Sequence, residues 1–445
     1  MPRVLLLARH FPPIGGAGVH RTVGSVRHLP EHGYEPVVVT GSGQQRGRWD
    51  PQDAELLERI PAGTEVHRLD GLEPAGRTGL AARLDALRHA RAPWLCWWID
   101  EAIRLGREVG RDADVVLTSC VPYETALAGA RIAAELGRPW VADLEDPWAL
   151  DEMRVHPTAL HRALDLRHMR RALASASAVV MAAPEAAARV RRTMPELAGR
   201  VTAIPIGFDR QDFADAGPDR DDGVFRIVHT GSMHTDLGRR LRQTRLRRSV
   251  LGGTLPGLDV LTRSHVFLVE AIARLLAAEP RLRGRIELHL AGGLTPGDRA
   301  VAEGHDFVRT RGLLSHRETV ALMRSADLLF LPMHDLPPGT RAGLIPYKTY
   351  EYLAAERPIL AAVPDGDVRD MLAGLGHVSL VRPADVAGMA HALRAEIART
   401  PVARVHDGID SQQLRLLERG RCVARIAAVL DEALPSSARR ARVPA

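Results

Sequence analysis

The sequence predicts two doubly wound α/β domains in tandem, and three observations lead there. Residues 3–8, RVLLLA, form a continuous apolar run that feeds HFPPIGGAG and then a helical pattern through His28. Residues 225–230, FRIVHT, open the second half in the same way and lead into GSMHTD. After each opening, short apolar runs alternate with helix-length stretches, which implies parallel sheets covered on both faces. At roughly 150 residues per domain, a chain of 445 residues has room for two or three.

Taken in order, the first half carries expected strands at 3–8, 36–40 (PVVVT), 114–118 (DVVLT), 139–144 (PWVADL), 177–181 (SAVVM) and 200–204 (RVTAI). Helices are expected over Tyr123–Leu136 and His161–Ala174. The stretch APWLCWWIDEA (92–102) holds three of the six tryptophans and reads as core, with an apolar acceptor or a membrane surface as the other use of such a cluster. In the second half, strands are expected at 225–230, 285–291, 327–331, 358–363 and 377–381, with helices over 264–278, 315–325 and 346–355. Residues 41–64 and 236–262 read as loops too long to be mere connectors. The segment FDRQDFADAGPDRDDG (208–223), with six aspartates, suits an exposed interdomain linker. The expected plan is therefore domain 1–207, linker 208–223, domain 224–398, helices over 399–435 packing back toward the first domain, and a disordered tail 436–445. Two such domains are expected to face each other across a cleft, with ligand-binding residues just after the strands.

Composition excludes several classes. Apolar residues are 45% and charged residues 26%, ordinary values for a folded soluble chain. No run approaches ~18 uncharged apolar residues, so no membrane-spanning helix is expected. At the start, Arg9 and His10 interrupt the apolar stretch after six residues, so it reads as a first strand and the protein as cytoplasmic. Cys96, Cys120 and Cys422 are too far apart for a metal knuckle, and a disulfide framework is not expected. The net charge of +6 is small, but GRRLRQTRLRRS (238–249) concentrates six arginines. Without interleaved aromatics it reads as a solvated or anion-contacting insertion, and nucleic acid is not expected as a partner.

One residue stands apart. Of 60 basic residues, Lys348 is the sole lysine. It lies in GLIPYKTYEYLAAERPILAAV (343–363), where Pro346 suits a first helical turn and Arg357, before Pro358, suits its end. Lys348 and Glu351 then share one helical face. A helix N-terminus with an added ammonium suits a diphosphate, and a nearby carboxylate suits ribose hydroxyls.

That segment resembles the donor-site signature of the retaining group-1 (family 4) glycosyltransferases, which have the GT-B fold of two facing Rossmann-like domains with an interdomain cleft. HFPPIGGAGVHR (10–21), TSCVPYETA (118–126), ADLEDPW (142–148), IPIGFD (204–209), HTGS (229–232), ELHLAGG and RSADLLFLP resemble further pieces of the family, in order. The resemblance implies transfer of a sugar from a nucleotide-diphosphate sugar to a hydroxyl or amine, with retention of configuration, in natural-product, glycolipid or polysaccharide assembly. It implies a donor set of Gly231, Ser232, Arg263, Leu344, Ile345, Lys348 and Glu351, and a loop or acceptor set of His10, Gly15, Gly16 and Ser119. Glu145, Asp146 and Lys348 are the catalytic candidates, the two acids following a strand. No cofactor or obligatory metal is implied. The acceptor is expected to be a small molecule or lipid-linked, which admits peripheral contact with a membrane. Relatives commonly carry Glu where this chain has Gly343, and Arg where it has Glu145. A non-hydrolysing nucleotide-sugar epimerase on the same fold is the alternative, and a nucleic-acid binder using 238–248 a third.

Overall fold

The computed structural model describes residues 1–44, 50–71, 73–74, 79–81, 84, 92–214, 220, 222–399 and 411–435. The chain divides into two compact units, Met1–Gly207 with Arg419–Ala445, and Phe208–Glu418.

The first unit is built on a parallel sheet of seven strands: β1 (Arg3–Ala8), β2 (Glu35–Thr40), β3 (Glu65–Arg68), β4 (Val115–Ser119), β5 (Trp140–Leu144), β6 (Ala178–Met181) and β7 (Val201–Ala203). Their order is β3-β2-β1-β4-β5-β6-β7, so the winding reverses between β1 and β4. Val4, Leu6, Val38, Leu117, Val141 and Val180 form its core, and Cys422, Ile426 and Leu430 of the helix Arg419–Ala433 close it from one side. Arg419 donates to the carbonyls of Ile206 and Gly207 at 3.0 and 3.1 Å, tying the last residues of β7's exit to the start of that helix.

The second unit holds β8 (Phe225–Thr230), β9 (Ile286–Ala291), β10 (Val308–Gly312), β11 (Leu328–Pro332), β12 (Ile359–Ala362) and β13 (Val378–Val381). The order β10-β9-β8-β11-β12-β13 is again all parallel and reverses between β8 and β11. Ile227, Leu288, Leu290, Leu328 and Phe330 meet Leu268, Ile272 and Leu275 of the helix Val266–Ala278 in its core.

Several expectations need correction. Residues 41–64 are not a plain loop: a short 3₁₀ turn covers Ala54–Arg59, capped by Asp53 accepting from the Glu55 amide at 3.2 Å, and it buries Leu56. Residues 236–262 contain two helices, Thr235–Gln243 and Arg245–Leu251. The helix expected over 346–355 spans only Lys348–Ala354, leaving Pro346 ahead of it. The segment taken for an exposed linker buries Phe208 and Phe213, whose rings meet edge-on at 6.1 Å. Its residues 215–219 and 221, most of 399–410, and the tail 436–445 lie outside the described residues. The tryptophan stretch is the start of the helix Pro93–Val109; Trp98 is wholly buried and donates to Thr125, whereas Trp94 and Trp97 are half-buried.

A glycine in this fold gives a test whose sign is set by packing. Gly129 lies inside the helix Thr125–Leu136, where alanine ordinarily gains ~1 kcal/mol. A Cβ there would stand 2.3 Å from Thr118 Cγ2 and 2.7 Å from Trp140 Nε1, neither of which can retreat within the core. Gly129→Ala is therefore expected to lose ~1–3 kcal/mol in urea unfolding. Equal or greater stability than wild type would contradict this packing.

Candidate active site

The crest of the second sheet carries a cationic cluster at the point where the winding reverses. β8 ends in Thr230, and Gly231 turns the chain with φ of 95°. A Cβ at Gly231 would lie 3.0 Å from Lys348 Nζ, so the turn and the ammonium approach as closely as a glycine allows. The Thr230 amide donates to the Tyr352 hydroxyl at 3.0 Å, which fixes the turn to the helix Lys348–Ala354.

Lys348 donates to His229 Nε2 at 3.1 Å, while His229 Nδ1 faces the Phe330 carbonyl at 3.0 Å. This pair of contacts suits a neutral imidazole protonated at Nδ1. Burial and the neighbouring Lys348 hold His229 well below its ordinary range. Burial also brings Lys348 down to about 7; Arg263 pushes the same way and Glu351 opposes it. An ammonium beside a guanidinium gains most from an anion.

The other donor-side expectations divide. Ser232 is partly exposed beside Gly231, and Arg263 is partly exposed and close enough to act on Lys348. Glu351 is buried, with its carboxylate 3.6 Å from His316 Nδ1. Nε2 of that same imidazole meets Asp212 at 3.0 Å, giving a buried Glu351–His316–Asp212 chain. Leu344 and Ile345 have buried side chains, so they bear on the site only through backbone and packing. His229, His316 and Asp212 were missed; the strand and helix run containing each gives no sign of which face it occupies.

The first sheet's crest is different. His10, just past β1, is held by Asp50 at 3.0 Å and by the Val121 carbonyl at 3.2 Å. Beside it the buried Arg9 guanidinium grips Glu73 at 2.8 Å and lies over Trp94, 4.5 Å from the ring centroid. Gly15 donates to the Pro51 carbonyl at 2.7 Å, and Gly16 has φ of 94° at the start of the helix Ala17–His28. Ser119 ends β4 and is buried beside Asp143 in register.

Glu145 follows β5 and is 9% exposed, and among the described residues its Oε1 has no hydrogen-bond partner. Asp143 accepts from Arg21 at 2.6 Å, and Arg21 also caps the carbonyls of Ile204 and Pro205. Burial raises the Glu145 carboxyl to about 8; Arg21 and Arg419 oppose the rise, Asp143 and Asp146 add to it. Asp146 is more exposed and does not cap the turn Trp148–Leu150, whose first amide binds its backbone carbonyl instead. Trp148, at φ of 47°, stacks on Tyr123 with centroids 6.2 Å apart.

A raised carboxyl makes stability fall as pH rises, because the unfolded chain ionises near 4.5 while the native group stays protonated up to about 8. Glu145→Gln removes that loss. Its stability relative to wild type should therefore grow between pH 5 and pH 8, on the order of a few kcal/mol at most, by denaturant unfolding at both. A difference that does not change with pH would show that the carboxylate is not held protonated.

Residues 15–207 match the family described as glycosyl transferase 4-like domain. No curated protein gives a significant match. Among solved structures, the Anabaena protein Alr3699/HepE in complex with UDP and glucose is 15% identical with a TM-score of 0.59, over 96% of this chain and 98% of that one. A glycosyltransferase from Rickettsia africae ESF-5 is 12% identical with a TM-score of 0.60, over 98% and 99%. A putative UDP-N-acetylglucosamine 2-epimerase from Listeria monocytogenes is 14% identical with a TM-score of 0.55, over 96% and 95%. Among the described residues no helix is long and apolar enough to cross a membrane. Residues 15–207 are thus similar to the glycosyl transferase 4-like family, and the chain as a whole has the two-domain GT-B fold.

Proposed function

We propose that this chain transfers a sugar from a nucleoside-diphosphate sugar to an acceptor hydroxyl or amine, with retention of configuration. The observation that carries the reading is the cluster of Lys348, Arg263 and Gly231 at the reversal point of the second sheet. Two cations and a close-approach turn suit a diphosphate, and Glu351 lies on the same short helix as Lys348, where its carboxylate suits the ribose hydroxyls. The Anabaena structure holds UDP and glucose, which favours a uridine nucleotide as the first to try.

In this reading the bond between the anomeric carbon and the diphosphate breaks as Lys348 and Arg263 meet the charge developing on the leaving oxygen. The acceptor oxygen attacks the face that the diphosphate leaves, and its proton passes to the departing phosphate. The two cations supply the charge that a divalent ion would otherwise bring, so no obligatory metal is included. Glu145, neutral near pH 7, and Asp146 are the candidates for orienting the acceptor, with His10, Gly15, Gly16 and Ser119 along the same crest. The acceptor in this reading is a small or lipid-linked molecule.

The epimerase reading rests on the likeness to the Listeria structure. It predicts interconversion of the nucleotide sugar with no acceptor, and the glycosyl transferase 4-like match over 15–207 favours transfer instead.

Lys348 gives the test. Lys348 Nζ stands 3.0 Å from where a Cβ at Gly231 would be, so a broader planar guanidinium would crowd the turn that a compact ammonium fits. Lys348→Arg and Lys348→Ala should both fold, and both should bind UDP ~10–100-fold more weakly with slower single-turnover transfer. Wild-type affinity and rate in Lys348→Arg would remove Lys348 from the donor site.

A further inference from the structure

The segment between β8 and the helix Val266–Ala278 carries a surface with no part in the proposed transfer. Its first helix, Thr235–Gln243, is seated: Thr235, Gly238 and Leu241 are buried, and Arg242 pairs with Asp259 at 2.5 Å. Its second, Arg245–Leu251, has no buried residue at all. Leu246 is 86% and Val250 87% exposed, and a spacing of four puts both on one face. A helix that belongs to a core buries its apolar stripe; this one presents it to solvent.

Charge surrounds that stripe. Arg239, Arg240, Arg245 and Arg247 are exposed, and among the described residues none has an acidic partner. The Arg248 guanidinium donates to Thr244 Oγ1 at 2.8 Å. Burial, with repulsion from Arg240 and Arg247, holds Arg248 below its usual range, as expected where like charges crowd without counter-ions.

We propose that the helix Arg245–Leu251, with the arginines of the helix before it, docks on an anionic lipid bilayer, Leu246 and Val250 entering the acyl boundary and the arginines meeting headgroup phosphates. An exposed aliphatic pair within a cationic rim is what an interfacial helix needs. A nucleic acid would use the arginines but not the aliphatic pair, and no aromatic is present to stack on bases. A second copy of the chain would bring the same positive charge to the contact and be repelled. No residue assigned to donor or acceptor lies on either helix, so the inference stands apart from the transferase reading.

The test is co-sedimentation of the full chain with phosphatidylcholine vesicles, with and without phosphatidylglycerol. Wild type should bind the phosphatidylglycerol vesicles at least roughly tenfold more tightly and lose that binding as salt is raised. Leu246→Ser with Val250→Ser, and separately Arg239, Arg240, Arg245 and Arg247→Ser, should each weaken it roughly tenfold or more at an unchanged unfolding temperature. The salt series and the aliphatic pair decide the matter even if the arginine variant folds poorly. No binding by wild type, equal binding to both vesicles, or binding unchanged in the aliphatic variant would overturn the proposal. So would tighter association with duplex DNA that ignores Leu246 and Val250.

Discussion

An ammonium held against a neutral imidazole and a guanidinium is an unfavourable arrangement, and the second domain is arranged around it. Lys348 stays there because the Thr230 amide is bonded to Tyr352, which fixes the Gly231 turn over the helix that carries the lysine. His229 accepts from Lys348 only as long as its other nitrogen faces Phe330 of β11. The pairing of β8 with β11 thus holds His229 between the Phe330 carbonyl and Lys348. Burial brings Lys348 to about 7, so a dianion arriving at Gly231 would restore its proton. The repulsion between Lys348 and Arg263 is what the proposed diphosphate would relieve.

The first domain solves the opposite problem. Its crest buries Arg21, Asp143, Glu145 and Arg419, and both arginines and Asp143 act on the Glu145 carboxyl. The arginines use their donors on the carbonyls of Ile204, Pro205, Ile206 and Gly207, and Asp143 takes one guanidinium edge. Among the described residues Glu145 has no partner for Oε1, and burial raises its carboxyl to about 8, which favours the neutral form near pH 7. A neutral carboxylic acid both donates and accepts, which suits an uncharged acceptor better than a carboxylate would.

Much of this was legible from the chain. The strands at both sheet centres, such as RVLLLA and LLFLP, are largely apolar runs, as strands buried on both faces of a parallel sheet tend to be. β3 and β10 were not found, because EVHR and VRTRG are edge strands with few apolar side chains. The helices at 235–251 were hidden by their arginines: only Thr235, Gly238 and Leu241 mark the seated face, too few to show a period. Lys348 was visible as the one lysine in the chain, and Glu351 by its spacing from it. His229 and His316 were not, since their roles depend on contacts 119 and 104 residues away in sequence. Pro346 misled slightly, because the helix begins two residues later with Tyr347 already in helical conformation.

The central claim is that Lys348 meets the diphosphate and gains a proton in doing so. Calorimetric titration of UDP at pH 8, in buffers of different ionisation enthalpy, measures it directly. At that pH the nucleotide is fully ionised and Lys348 is mostly neutral. Proton uptake on binding, absent in Lys348→Ala, is the predicted result. Binding heat that does not depend on the buffer, or uptake that survives in Lys348→Ala, would contradict it.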